Sequence, residues 1–318
     1  MFLPLAIPGI NGSFFDLAYA LQLTVNGLAN GAVYGLMAVT VVIVYRTTGH
    51  LNFAQGEMAT MGCFVVFAAS VQHGVPYLVA IPAVMMVSMV VGAALQRGVV
   101  RPIERRGGLG VVLITLGLFL IFNAADAAIW GADPVQTVRP FPGGNGDRSL
   151  IVQGPPQLAI RYSTIGIWIT LAVVVLLLWL LLQRTKLGLA YRAVAANPES
   201  AVLVGIPKER MLMFGWGLAA AIGTLAAVLF AQKVGTLDFN LMASVLLYGL
   251  AAAALGGFDS IPGAVVAGAI VGLTEALVPA LFTFIGSELS LVMALVIIIA
   301  VLLVRPQGLF GQTRVERV

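Results

Sequence analysis

Four carboxylates stand within or beside long apolar stretches of this chain: Glu57, Asp126, Asp238 and Glu275. An ionisable side chain is costly inside a bilayer, so such groups are default functional candidates and imply proton, ion or polar-solute handling. Glu57 follows Asn52 and Gln55 in a short polar break, which suits it to bonding a helix terminus or lining a pathway. Glu275, in GLTEALV, either serves a pathway or is a buried hydrogen-bonding group. Asn26 and Asn30 share a helix face at i and i+4, where they line a polar passage or bond to a neighbouring helix; the second reading is favoured. Asp126 is expected at the membrane interface, and Asp238 in an external turn. Phe53 and Phe258 flank polar breaks, Phe258 next to Asp259, and either gate a pathway or fill space.

Other chemistries lack their residues. Neither histidine begins a His-Glu-x-x-His helix, no Gly-x-Ser-x-Gly elbow displays a serine, and no Gly-Lys dipeptide is present to end a phosphate-cradling loop. No catalytic or metal site is assigned, and any use of ATP must come through another chain. Cys63 is alone, which excludes an internal disulfide and a cysteine metal cluster. The net charge of +4 sits at the ends of apolar runs rather than on one face, so it reports topology rather than a nucleic-acid surface.

The elements that must position these residues are membrane helices. Hydrophobic residues form 60% of the chain against 9% charged, with a mean hydropathy of +1.03, which places the chain among all-α polytopic membrane proteins. Nine segments approach the length of a span: Leu17 to Tyr45, His50 to Val71, Pro76 to Leu95, Leu109 to Trp130, Ser163 to Leu182, Met211 to Ala231, Leu241 to Leu255, Pro262 to Leu281 and Ser290 to Val304. The first is overlong and the seventh short, and the expected total is about eight to nine helices in a single transmembrane domain covering 1–318. Arg46, the Arg97/Arg101/Arg105/Arg106 group, the basic residues of 184–210 and Arg305/Arg314/Arg317 fall on one side. Arg139, Arg148, Arg161 and Lys233 fall on the other. The positive-inside rule then puts the N-terminus outside and the C-terminus in the cytoplasm. MFLPLAIPGINGSFFD carries no basic residue before its apolar ones, so it reads as a retained tail or surface helix rather than a cleaved signal.

Two junctions are Gly-flanked polar interruptions followed by small residues: TTGHLNFAQGEMATMG and AALGGFDSIPGAVVAG. They are either cytoplasmic turns or broken helices along a transport pathway, since bare backbone at membrane depth must be buried in protein or line a wet cavity. The external loop 131–162 contains SLIVQGPPQLAIRY, which predicts a hairpin around Gly154, Pro155 and Pro156. Gly223-x-x-x-Ala227 and Gly268-x-x-x-Gly272 predict close helix packing.

The stretch RTKLGLAYRAVAANPESAVLVGIPKER, 184–210, interrupts this pattern. Asn197 suits a helix N-cap, Pro198 its first position, Glu199 its positive dipole end and Gly205 its close, so a short helix from Pro198 to Val204 is predicted outside the bilayer.

NGLANGAVYGLMAVTVVIVYRTTGHLNFAQGEMATMG, KLGLAYRAVAANPESAVLVGI, LGGFDSIPGAVVAGAIVGLTEAL and RPQGLFG together resemble the permeases of bacterial branched-chain amino-acid ABC importers, in the same order and over nearly the whole chain. PFPGG in the external loop is also similar to the family. The resemblance implies an inner-membrane permease that pairs with a second permease, more often a homologue than a second copy. It also implies two cytoplasmic ATPase subunits that use ATP and Mg, and an extracytoplasmic substrate-binding protein. On that reading Asn197 to Gly205 is a coupling helix. Ala201, Val202 and Leu203 give apolar contact to the ATPase, and Arg192, Glu199, Lys208 and Arg210 fix its orientation. Asn26, Asn30, Asn52, Phe53, Gln55, Glu57, Phe258, Asp259 and Glu275 are the pathway candidates. Gln55 departs from the family, which commonly has His there; Gln keeps hydrogen-bonding capacity but carries no proton. Relatives of this kind carry branched-chain or other neutral amino acids, urea, short amides or small organic acids. The competing readings are an ion-coupled carrier, with only Glu57 and Glu275 to recruit, and a structural membrane protein.

Overall fold

The computed structural model describes residues 17–104, 107–136, 139–141, 149–152, 158–282, 289–305 and 307–311. The expected N-terminal tail, Arg105, Arg106, most of PFPGG, Arg148, the Gly154–Pro156 turn, Pro306, Arg314 and Arg317 lie outside the described residues. In chain order the elements are α1 (Leu17–Thr48), α2 (Gln55–Phe67), α3 (Tyr77–Leu95), α4 (Arg101–Glu104), α5 (Gly108–Trp130), β1 (Val135–Gln136), β2 (Ser149–Val152), β3 (Leu158–Arg161) and α6 (Tyr162–Arg184). They continue as α7 (Lys186–Ala196), α8 (Pro198–Leu203), α9 (Lys208–Val234), β4 (Thr236–Leu237), α10 (Ala243–Gly256), α11 (Ile261–Leu281) and α12 (Ser290–Val304). Wider π-helical turns extend α2 through Gln72 and join α3 to α4.

All nine expected segments contain a helix. Among the described residues, six helical stretches are long and apolar enough to cross a membrane: α1, α3 through α4, α5, α6, α9 and α11. They differ in what they face. The most apolar windows of α1 and α9 are 89% and 83% buried, against 17–28% for the other four. So α1 and α9 are interior helices, while α3, α5, α6 and α11 leave most of their apolar surface uncovered by the chain itself.

Two compact units make up the chain. The first comprises Met1–Ala38, Phe141–Ile169 and Tyr248–Val318. Here the N-terminal part of α1 runs antiparallel to α11, with Gly27, Gly31 and Gly35 set against Gly272, Gly268 and Val265 in turn. A Cβ on Gly31 would lie 2.7 Å from the Cα of Ala269, so only glycine permits this approach. The expected Gly268–Gly272 packing is therefore met by a three-glycine stripe on α1. α12 packs on α11. β2 and β3 form the predicted antiparallel hairpin, Ser149 opposite Arg161 and Val152 opposite Leu158.

The second unit comprises Val39–Pro140 and Thr170–Leu247, and α9 is its spine, with α2 and α3 packed on it and α5 on α2. Small residues let the neighbours close in. Gly62 abuts Thr224, Gly92 abuts Ala220 and the backbone of Trp216, and Gly223 abuts Gln55 and Ala59. The two ends of this unit are held by different contacts. At one, Arg101 of α4 is ion-paired with Glu209 of α9, and Arg46 lies within electrostatic reach of Tyr191. At the other, the backbone N–H of Arg139 donates to the Tyr77 hydroxyl and β1 pairs with β4, Val135 opposite Leu237.

Candidate functional site

The first break is built from its own amides. α1 ends at Thr48, Gly49 takes a φ of +71°, and Asn52 then folds the chain back by accepting from the N–H of Ala54 at 3.0 Å and donating to Gln55 Oε1 at 3.2 Å. Gln55 donates to the carbonyl of Ala219 on α9 at 2.9 Å. Asn52, Gln55 and Glu57 are 3%, 1% and 0% exposed, so this interruption is buried in protein rather than a solvated turn. Phe53 is half-buried within it.

Glu57 meets a residue that the sequence reading did not single out. Asn123 of α5 donates to Glu57 Oε2 at 3.3 Å, to the Phe239 carbonyl at 3.2 Å and to Asn240 Oδ1 at 3.0 Å, joining α2 and α5 to the turn before α10. One helical turn on, Asp126 is 0% exposed, with neither carboxyl oxygen hydrogen-bonded. Near the end of α5, as expected, it is turned into the protein rather than outward. Asn123, Asp126 and Trp130 form the α5 stripe that faces α2, and the Trp130 ring stacks on Phe64 at 4.8 Å. Asp238 accepts from the N–H of Asn240 at 2.8 Å and lies in a turn, as expected.

In the first unit Glu275 collects the polar groups of α1. Asn30 and the Tyr34 hydroxyl both donate to Glu275 Oε2, at 2.6 and 2.8 Å, and the Tyr34 ring stacks on Tyr248 at 4.6 Å. Asn30 thus bonds between helices. Asn26 does not follow it: exposed on α1, it accepts from Gln22 of the same helix at 3.3 Å. Tyr34, buried one turn after Asn30, was legible only as an apolar residue.

The second break ends α10 at Gly256 and restarts at Ser260, whose side chain caps α11 by accepting from the N–H of Gly263. The segment 307–311 lies on it. Leu309 and Phe310 donate backbone N–H groups to the carbonyls of Leu255 and Gly256, at 2.7 and 3.2 Å. GLFG therefore satisfies carbonyls that the broken helix would otherwise leave unpaired. Phe258 and Asp259 are half-buried beside this contact.

The charged stretch folds into two helices where one was expected. α7 was not anticipated, although Thr185 caps it by accepting from the N–H of Gly188 and the buried Gly188, Tyr191 and Val194 recur every third residue. Tyr191 donates to the carbonyl of Ile43 on α1, and its burial pushes the phenol above its usual range. α8 follows directly. Asn197 accepts from the N–H of Ser200 at 2.9 Å, Pro198 opens the helix, and Gly205, at φ +83°, closes it with Gly205 N–H to Val202 and Ile206 N–H to Ala201. The expected apolar surface changes at one position. Ala201 is 3% exposed and packs inward, while Val202, Leu203 and Val204 are 53%, 87% and 75% exposed. Glu199 and Arg210 are exposed, Lys208 and Arg192 half-buried.

Six apolar helices long enough to cross a membrane, buried polar groups on α1, α2, α5 and α9, two polar interruptions and a short capped helix suit a membrane permease. The chain belongs to the family described as the branched-chain amino acid transport system / permease component, whose model matches residues 23–302. It is similar to the high-affinity branched-chain amino acid transport system permease protein BraD of Pseudomonas aeruginosa, 29% identical over 95% of this chain and 99% of that one. LivH of Escherichia coli, of the same description, is 29% identical over 94% and 98%. The autoinducer 2 import system permease protein LsrD of Yersinia enterocolitica is 27% identical over 82% and 73%. No solved structure matches the chain.

Proposed function

We propose that this chain is the translocating subunit of an ATP-driven importer for branched-chain or other neutral amino acids, with α8 as the contact through which a separate ATPase moves it. The observation that carries this reading is the Val202, Leu203, Val204 surface: three large apolar side chains held outward on a helix capped at both ends, beyond the membrane spans. Exposed apolar residues on a rigid polar segment are favourable only when a partner covers them. The likeness to BraD and LivH, along nearly their whole length, supports the amino-acid substrate.

On this reading 184–210 lies in the cytoplasm, 131–162 outside, and the partners are a second permease, two ATPases using ATP and Mg, and an external binding protein. ATP hydrolysis belongs to those subunits, and this chain contributes the pathway. The breaks at Asn52 and Asp259 are the segments that rearrange, because irregular backbone there breaks and remakes fewer helical bonds than a continuous helix.

Proteoliposomes holding the permease pair and ATPases test it. Uptake of labelled leucine that requires ATP, the ATPase subunits and the binding protein is expected. Uptake by the purified chain alone under an ion gradient would overturn the reading in favour of a secondary carrier.

A further inference from the structure

Where the helix through Glu104 meets the start of α9, a cavity of about 310 Å³ is lined by Gln96, Arg101, Glu104, Lys208, Glu209 and Leu212. That volume is at the lower end of small-molecule sites, roughly 300–1,000 Å³. The charges in its wall are not all spent on one another. Arg101 and Glu209 are paired, but Lys208 and Glu104 have no salt-bridge partner among the described residues. Gln96 is 1% exposed, and its Oε1 is buried without a hydrogen-bond partner. A buried carbonyl oxygen in that state needs an N–H from somewhere. Leu212, 2% exposed, supplies an apolar wall. Among the described residues the cavity therefore brings together a cation and an anion with no salt-bridge partner, an unfilled acceptor and an aliphatic surface.

We propose that this cavity binds a free neutral amino acid as its zwitterion, at a site separate from the translocation pathway. The ligand carboxylate pairs with Lys208, its ammonium lies between the Glu104 carboxylate and Gln96 Oε1, and its side chain turns toward Leu212. The choice of an amino acid rests on the transport reading; the demand for a zwitterion does not. Lys208 opens α9 directly after the α8 loop, so an occupant joins α4 to the first turn of the helix that α8 must move. Bound product then restrains that helix, and import slows as the amino acid accumulates on the α8 side. An ethanolamine phospholipid headgroup carries the same two charges, and the test separates the two sources.

The assembled transporter, without its binding protein, is placed in phosphatidylglycerol nanodiscs and titrated with labelled leucine. Saturable binding is expected, weakened at least about tenfold by Glu104→Gln and by Gln96→Leu, as loss of one partner of a buried polar contact requires. In proteoliposomes, leucine loaded on the α8 side slows wild-type uptake, and both variants lose that inhibition while keeping the uptake rate seen without loaded leucine. Absence of saturable binding, or wild-type affinity in both variants, overturns the proposal. So does leucine binding that vanishes when phosphatidylethanolamine is added, since the lipid is then the occupant. Import without binding defeats this site and spares the transport reading; binding without import does the reverse.

Discussion

The side-chain amide of Gln55 donates to the backbone carbonyl of Ala219, 2.9 Å away, and so ties the first break to the spine of the second unit. Gln55 is 1% exposed and also accepts from Asn52. Gln55→Leu keeps the volume and removes both bonds, leaving the buried Asn52 amide short of a partner. The expected cost is about 1–3 kcal/mol. Thermal unfolding of the purified variant checks this, and an unchanged transition temperature would remove the break's amides from the stability of the fold.

Gly31 has no room for a side chain, because a Cβ there lies 2.7 Å from the Ala269 backbone of α11. Gly31→Val forces α1 and α11 apart and is expected to cost more than about 3 kcal/mol, in the range of severe overpacking. Size-exclusion chromatography is expected to show aggregation in place of a single folded peak. Gly117→Ala is the control, since nothing lies within 4 Å of a Cβ at that position. The two variants behaving alike would contradict the packing described.

Glu275 accepts from both Asn30 and Tyr34 through one carboxylate oxygen. Glu275→Gln retains a carbonyl oxygen that can accept both bonds, whereas Glu275→Leu retains none. The glutamine variant is expected to melt as the wild type does, and the leucine variant to lose about 1–3 kcal/mol. Comparing uptake by the glutamine variant at matched stability separates the need for the bonds from the need for the charge.

Much of this was legible before any coordinates. Helix positions followed from hydropathy, the α8 cap from Asn197–Pro198 and the hairpin from its paired β runs, because each is set by local chemistry. What escaped depends on which way a helix is turned. The place of Asp126 near the end of α5 is plain in the sequence, but not that the stripe it shares with Asn123 and Trp130 turns it toward α2. Ala201 sits beside Val202 and Leu203 in sequence and on the opposite side of α8. α7 is masked in the sequence because its buried Gly188, Tyr191 and Val194 are interleaved with Lys186 and Arg192. The β1–β4 pair is two residues long on each side, too short for an alternating pattern to show.

Asp126 offers a prediction in the opposite direction from most core substitutions. Its carboxyl is buried with neither oxygen bonded, so it contributes a desolvation cost and no compensating bond. Asp126→Leu is expected to raise stability by about 1–3 kcal/mol, read as a higher unfolding temperature. Uptake lost from this better-folded variant would place Asp126 in the transport cycle; a lower unfolding temperature would contradict the structure around it.

On the proposed function α8 engages the ATPase, and Leu203, 87% exposed, is its most prominent apolar side chain. The direct measurement is binding-protein-stimulated ATP hydrolysis by the assembled transporter carrying Leu203→Asp. An exposed position leaves the permease fold intact, and a charge placed in the centre of an apolar contact is expected to cut stimulation at least about tenfold. Normal assembly with full stimulated hydrolysis would contradict the account.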